Sequence, residues 1–283
     1  MEIINPYQTI ARIRSMPGLP AVLTQVMETV QDPEASALDL GQFIASDQTL
    51  AAALLRVVNS AYYGFYREIS SVTTAIVILG FLEVRNLVLA VTAYNTLSAS
   101  RPAQGLWRHS LEAAIGAQRA ARLMSAPPAA GPFVAGLLHD VGKVVLQDLY
   151  PEVYRRAVGQ ARDRAEAIRV VEREMFQLDH AEAGAILAEH WNLPEPVVEA
   201  IRYHHEPGHA PKALKLTNLT AYADYLAYEA GGGDPANGVP PSFPAEAARK
   251  LDLSDRQLAQ LKQDMSGAGE KIDELLGAIH GGR

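Results

Sequence analysis

The chain has 283 residues, 48% of them hydrophobic, enough for one large domain or two ordinary ones around a substantial core. Its 25 lysines and arginines against 32 acids give a formal charge of −7. That balance argues against broad nucleic-acid binding, which draws on basic residues releasing counterions, but leaves room for a local anion pocket. Cysteine is absent, which excludes disulfides and thiolate zinc sites.

The N-terminus, Met1 to Pro6, lacks the basic and apolar regions of a signal peptide. The longest apolar run, Val72 to Leu82, is too short for a bilayer and is interrupted by Gly80. The expectation is a soluble cytoplasmic protein with no membrane association. Helical periodicity dominates, so the fold class is all-α. Leu19, Val22, Leu23, Val26 and Val30 form a stripe that starts at Pro20 and ends near Asp32-Pro33. Helices are predicted over Ala37 to Ala45, Gln48 to Val58 with Ser46 or Asp47 as N-cap, Val72 to Leu79, and Leu82 to Leu97. Ser98 to Gly105 reads as a boundary.

A long helix follows from Leu106 to Met124, then a proline-rich break over Ala126 to Pro132. Further helices are predicted over Phe133 to Asp148, Pro151 to Arg162, Ala165 to Met175, His180 to Trp191, Pro194 to His205 and Lys212 to Glu229. Gly231 to Pro244 reads as a Gly/Pro-rich loop, followed by helices over Ala245 to Leu251 and Asp255 to Ile279, the latter opened by a Ser254–Gln257 capping box. The domain spans are therefore 1–100, an N-terminal helical part; 101–230, a bundle; and 231–283, the loop and terminal helices.

Five of the eight histidines lie in segments that also carry acids or bases: Arg108-His109, His139-Asp140-Val141-Gly142-Lys143, Asp179-His180, His204-His205-Glu206 and, without a histidine, Ala223-Asp224. Imidazole nitrogen and carboxylate oxygen suit zinc, manganese or iron. The segment Phe133 to Leu146 is apolar on most of its circumference, so His139, Asp140 and Lys143 must be paired or metal-bound to be buried there. Neighbours on a helix point roughly 100° apart, so His139 and Asp140 meet one ion only at a groove edge. Lys143 projects over the same region and could hold a phosphate. A plain His–Asp hydrogen bond that fixes helix packing fits each segment taken singly. The joint pattern, with all five able to converge in one bundle, favours a metal centre. His190, His209 and His280 read as structural or surface residues.

These residues resemble the HD superfamily of metal-dependent phosphohydrolases. His139-Asp140-Val141-Gly142-Lys143 is similar to the HD-x-G-K element of the HD-GYP subgroup, which cleaves cyclic di-GMP. The resemblance implies His109, His139, Asp140, His180, His204, His205 and Asp224 as metal ligands, with Asp140 and Lys143 catalytic and Lys143 on the phosphate. It implies a divalent metal cofactor, two ions of iron, manganese or zinc. Two departures stand out. Glu206-Pro207-Gly208-His209-Ala210-Pro211 replaces the Gly-Tyr-Pro motif, and Gly105 stands where a further glutamate ligand is expected.

The first half carries Met16-Pro17-Gly18-Leu19-Pro20, Ile44-Ala45-Ser46-Asp47-Gln48, Asn59-Ser60-Ala61-Tyr62-Tyr63-Gly64 and Ile69-Ser70-Ser71-Val72. These resemble the HDOD domain, an HD-related output domain of bacterial signalling proteins, over roughly residues 12 to 210. The Asn59-Ser60 pair is expected to end a helix, with Asn59 in left-handed geometry, and Tyr62, Tyr63, Phe65 and Tyr66 to form an interdomain aromatic cluster. The resemblance implies a signal-output protein that works through a signalling partner or a small phosphate ligand. An active metal-dependent phosphohydrolase or phosphodiesterase is the alternative, and an iron-based redox sensor a third reading.

Overall fold

A computed structural model describes residues 4–29, 32, 34–97, 104–124, 131–231 and 237–281. Residues 98–103 of the expected boundary, residue 125, 126–130 of the proline-rich break and 232–236 of the expected loop lie outside the described residues. Every regular element among the described residues is a helix, as the sequence periodicity implies. No helix among them is long and apolar enough to cross a membrane.

Compactness divides the chain into two units: Met1–Met16 with Ser100–Gly269, and Pro17–Ala99 with Glu270–Arg283. The division cuts across the three linear spans read from the sequence, because the chain ends pack away from their neighbours in sequence. The chain opens with α1 (Pro6–Arg14), a helix the periodicity does not announce. Its signal is local: the Asn5 side chain accepts from the Tyr7 N–H at 2.9 Å, and Pro6 sits in the first turn.

The unit built on residues 17–99 contains α2 (Ala21–Thr29), α3 (Ala37–Ala45), α4 (Gln48–Val58), α5 (Val72–Leu79) and α6 (Phe81–Leu97). Ser36 and Asp39 form a capping box, Asp47 caps α4 and Ser71 caps α5. α3 packs on α5 where Gly41 faces Thr73. α5 is apolar apart from Thr73 and Thr74, yet it buries Val72, Ala75 and Ile76 and leaves Val77 and Ile78 exposed. Asn59 is not left-handed; its φ and ψ are −86° and 4°. Its side chain instead brackets Ile69, donating to the carbonyl at 2.9 Å and accepting from the N–H at 2.8 Å. It thereby closes the 60–68 loop. Tyr62, Tyr63 and Phe65 make ring contacts in sequence, whereas Tyr66 is fully exposed.

The larger unit holds α7 (Gln104–Leu123), α8 (Pro132–Leu138), α9 (Val141–Leu149), α10 (Pro151–Arg164), α11 (Ile168–Phe176), α12 (His180–His190), α13 (Glu195–Tyr203), α14 (Leu214–Glu229), α15 (Ala245–Lys250) and α16 (Asp255–Ser266). α7 is flanked by α8 and α14, α12 by α9 and α13, and α1 packs on α12 and α9. The stretch expected as one helix from 255 to 279 breaks at Gly267-Ala268, giving α16 and α17 (Gly269–His280).

The stretch expected as one helix from 133 to 148 is also two, parted at His139-Asp140, where Asp140 leaves helical geometry at φ −100° and ψ 8°. The halves are pinned to different partners through glycines. A Cβ at Gly136 would lie 2.7 Å from the Ala113 carbonyl oxygen of α7, and one at Gly142 only 1.9 Å from the His180 carbonyl oxygen of α12. These close approaches hold the bend and bring His139 and Asp140 to the middle of the bundle. Gly136→Ala and Gly142→Ala should each destabilise by about 3 kcal/mol or more, since backbone atoms cannot give way. Gly159→Ala, on a helix with nothing within 4 Å, should be neutral or stabilising by up to about 1 kcal/mol. Urea unfolding of the three variants checks this; equal effects would refute it.

Candidate metal centre

Five elements of the larger unit bring the expected residues together. α7 presents His109, the α8–α9 bend presents His139 and Asp140, and the first turn of α12 presents His180. The turn after α13 presents His204 and His205, and α14 presents Asp224. A capping box between Asp179 and Glu182 fixes where α12 starts, and hence where His180 points. His109, His139 and His180 are fully buried, and Asp140, His204 and Asp224 nearly so.

Asp140 is the hub. Its Oδ1 lies 3.3 Å from His180 Nε2 and 3.7 Å from His204 Nε2. Its Oδ2 lies 3.4 Å from His139 Nε2, 3.8 Å from His109 Nε2 and 2.7 Å from Lys143 Nζ. Asp224 Oδ1 lies 3.0 Å from His109 Nε2 and 3.6 Å from His139 Nε2. His180 and His205 face each other Nε2 to Nε2 at 2.8 Å. The far ring nitrogens are tied down: His139 Nδ1 to the Gly136 carbonyl at 2.8 Å, and His204 Nδ1 to the Ile201 carbonyl at 2.7 Å. Both Nε2 atoms are thus turned inward.

Two groups set their ligand-capable atoms within 4.8 Å of one another: Asp140, His180, His204 and His205, and His109, His139 and Asp224. Both could hold a metal ion. The test lies in the buried polar atoms. His139 Nε2, His204 Nε2 and Asp140 Oδ1 make no hydrogen bond. A buried polar atom left so costs about 1–3 kcal/mol, and ligation by a cation removes that penalty. The nitrogen and oxygen donor set fits zinc, manganese or iron.

Electrostatics in the metal-free centre are polarised. Burial opposes charge on His139, but Asp140 and Asp224 outweigh it and push its pKa up to about 10. Burial, reinforced by the charge on His139, holds His204 down at about 3. His205 is lowered by burial and by His204. Burial would raise both carboxyls, yet both end well below the ordinary range: Lys143 and His139 dominate at Asp140, and the His109 hydrogen bond with the nearby charge of His139 at Asp224.

A cavity of about 770 Å³ opens beside the centre, walled by His180, His204, His205, Asp224, Arg169 and Asn237, with Tyr225, Pro240 and Pro241 among its apolar neighbours. Lys143 stands behind this wall at 1% exposure, its ammonium held between Asp140 and the Asn237 side-chain oxygen at 2.6 Å. The expected direct line from Lys143 to a ligand is therefore closed by Asn237. Arg108 and Arg202 pair with Glu112 and Glu189. His190 bonds the Met16 carbonyl and His209 is exposed beside Glu206, while the His280 side chain lies outside the described residues. Glu172, which binds His180, and Asn237 escape a reading by motif: they sit in α11 and in the expected loop, with no histidine or acid beside them in a recognisable spacing.

Residues 16–207 match the family model of the HDOD domain. The chain belongs to the HDOD domain family. An uncharacterised protein of Treponema pallidum (strain Nichols) is 31% identical over 235 residues, 82% of this chain. The chain spans only 46% of that relative's length. A solved structure from Marinobacter aquaeolei VT8, provisionally named a signal transduction protein, matches this HDOD chain with a TM-score of 0.83 at 22% identity, covering 97% of this chain and 64% of the other. One from Shewanella amazonensis SB2B, provisionally named a phosphohydrolase, matches with a TM-score of 0.75 at 22% identity, covering 96% and 97%. At such identities the likeness speaks for the fold.

The pKa directions set a stability profile for the metal-free HDOD protein. His204 and His205 bind protons more readily when unfolded, so stability falls as pH drops below 6.5 towards about 3. Asp140 and Asp224 deepen that loss below 3.8. His139 works in the opposite sense: its contribution is full below 6.5 and is lost as pH climbs through about 10. Thermal melts in chelator should therefore peak near pH 6.5. A melting temperature that rises steadily from neutral to alkaline pH would contradict this assignment.

Proposed function

We propose that this HDOD protein is a bacterial signal-output protein whose HD-type centre binds two divalent ions and, in the adjoining cavity, a small phosphate-bearing ligand, and which passes that state to a signalling partner. The observation that carries the reading is the set of inward-facing, buried Nε2 atoms around the single carboxylate of Asp140. His109, His139 and Asp224 would hold one ion, and His180, His204 and His205 the other, with Asp140 between them. Iron, manganese and zinc suit that donor set. When bound, such ions supply Lewis-acid polarisation of a phosphoryl oxygen.

The chain's own residues set the limits on the ligand. Lys143 holds Asp140 Oδ2 in place and meets a phosphate only when Asn237 turns aside. Where the HD-GYP relatives carry Gly-Tyr-Pro, Pro207–His209 forms a short 3-10 turn, and Glu206 before it pairs with Arg169 at 2.7 Å. Glu206 engages Arg169 on the cavity wall, and Glu246 on the same wall pairs with Lys250. With Arg169 so engaged, the second phosphate of a cyclic dinucleotide is disfavoured. The partner half of the proposal is supported by the family and by the provisional name of the Marinobacter structure.

A second reading, a metal-dependent phosphohydrolase, is favoured by the opening of the cavity directly onto His180, His204, His205 and Asp224. Metal analysis after incubation with manganese, iron and zinc, then a screen of phosphate monoesters and cyclic dinucleotides, separates the two. The expected result is metal uptake, binding of a small phosphate compound and little turnover of cyclic di-GMP, because turnover also needs the substrate held in line. The double variant His139→Ala, Asp140→Ala should lose the metal. Robust cyclic di-GMP hydrolysis that the double variant abolishes would establish the enzyme instead, and a protein that stays metal-free would refute both.

A further inference from the structure

We propose that Glu172 is a positioning residue that supplies the negative charge for the His180–His204–His205 half of the centre, so that without this charge that half loses its ion while the Asp224 half keeps its own. The inference rests on the two-ion reading above. It starts from an acid the motif does not contain. Glu172 lies on α11 and is fully buried. Both its oxygens are engaged. Oε2 accepts the His180 backbone N–H at 3.0 Å and the His180 Nδ1–H at 2.6 Å, and Oε1 accepts the Tyr154 hydroxyl at 3.1 Å. With the proton held at Nδ1, the lone pair of His180 sits on Nε2, aimed at Asp140 Oδ1 and His205.

The other oriented rings differ in kind. His139 and His204 give their Nδ1–H to neutral carbonyls three residues back in their own turns. Among these three oriented histidines, His180 is the one held by a carboxylate. The charge inventory of the two halves shows why that matters. One half owns a full carboxylate in Asp224, set against His109 and His139. The other has three imidazoles, neutral when they bind metal, and only Oδ1 of the shared Asp140, whose Oδ2 faces Lys143 at 2.7 Å. A divalent ion in so buried a place needs compensating charge. Glu172, one imidazole away, is the buried acid positioned to give it.

A purely architectural role, joining α10, α11 and α12, would use the same hydrogen bonds, and Glu172→Gln tells the roles apart. The amide oxygen can accept both His180 protons and the NH₂ can donate to the Tyr154 oxygen, so shape and bonding survive while the charge goes. Tyr154→Phe is the complementary control: one hydrogen bond goes and the charge stays. The full-length chain, stripped of metal, is titrated with zinc against a chromophoric chelator. Glu172→Gln should weaken one class of sites by about 10–100-fold and leave the other unchanged, so that bound zinc falls from about two to about one per chain at intermediate concentration. Tyr154→Phe should titrate like the wild type.

Unchanged binding in Glu172→Gln, or equal weakening of both classes, would overturn the inference while leaving the two-ion reading intact. A wild type that takes up no zinc would overturn that reading and this inference together. Should Glu172→Gln fail to fold, nitrogen-15 NMR of the zinc-loaded wild type decides. A His180 Nδ1–H resonance well downfield of those of His139 and His204 supports a charged acceptor, and a His180 protonated at Nε2 rejects it.

Discussion

Everything in the larger unit is arranged around one buried carboxylate. Asp140 is 2% exposed inside an apolar bundle, a placement that an ionised acid tolerates only with cations or strong donors on every side. Lys143 reaches it from one turn along α9, His139 from the neighbouring position, His109 from α7, and His180 and His204 from beyond. No straight helix could bring His139 and Asp140 to bear together, and the chain resolves this by bending between α8 and α9. The bend in turn needs two glycines where backbone meets backbone. Centre and scaffold are thus one construction: the contacts that hold the helices are those that aim the ligands.

Much of this was legible in the sequence. The fold class followed from periodicity, and several helix ends were fixed by residues whose chemistry is local, such as Asp47, Gly80 and the Ser254–Gln257 pair. The candidate ligands stood out because histidine and acid are conspicuous in apolar helices. What stayed hidden depends on tertiary contact. The bend at His139-Asp140 is invisible to a periodicity that continues through it, and the same is true of the break at Gly267-Ala268. Asn59 looked like a left-handed helix end because asparagine often is one, but its side chain had a better partner ten residues on. Glu172 and Asn237 carry no pattern of their own; only folding shows that each meets a residue of the motif.

The two faces of each imidazole separate structural from chemical duty. Nδ1 of His139, His180 and His204 is spent on orientation, and Nε2 is left to the centre. That division explains why the centre is electrostatically uneven without metal: the rings cannot turn to relieve one another. His139 gathers positive charge between two acids while His204, a ring contact away, is denied it. An ion entering such a frame displaces protons more than it moves side chains.

The position of α1 has a consequence for the order in which the chain assembles. Thr9 meets Tyr150 across 141 residues, and the Met16 carbonyl meets His190 across 174. The whole of residues 17–99 lies inside that span. A chain emerging from the ribosome releases α1 long before α9 and α12, yet the helices on which α1 packs do not exist until those segments have been made. The entropy of closing so long a loop grows only logarithmically, but the waiting time does not shrink with it. A helix made well before its partners is therefore among the last to be fastened, and it docks on the very helices that carry Asp140 and His180.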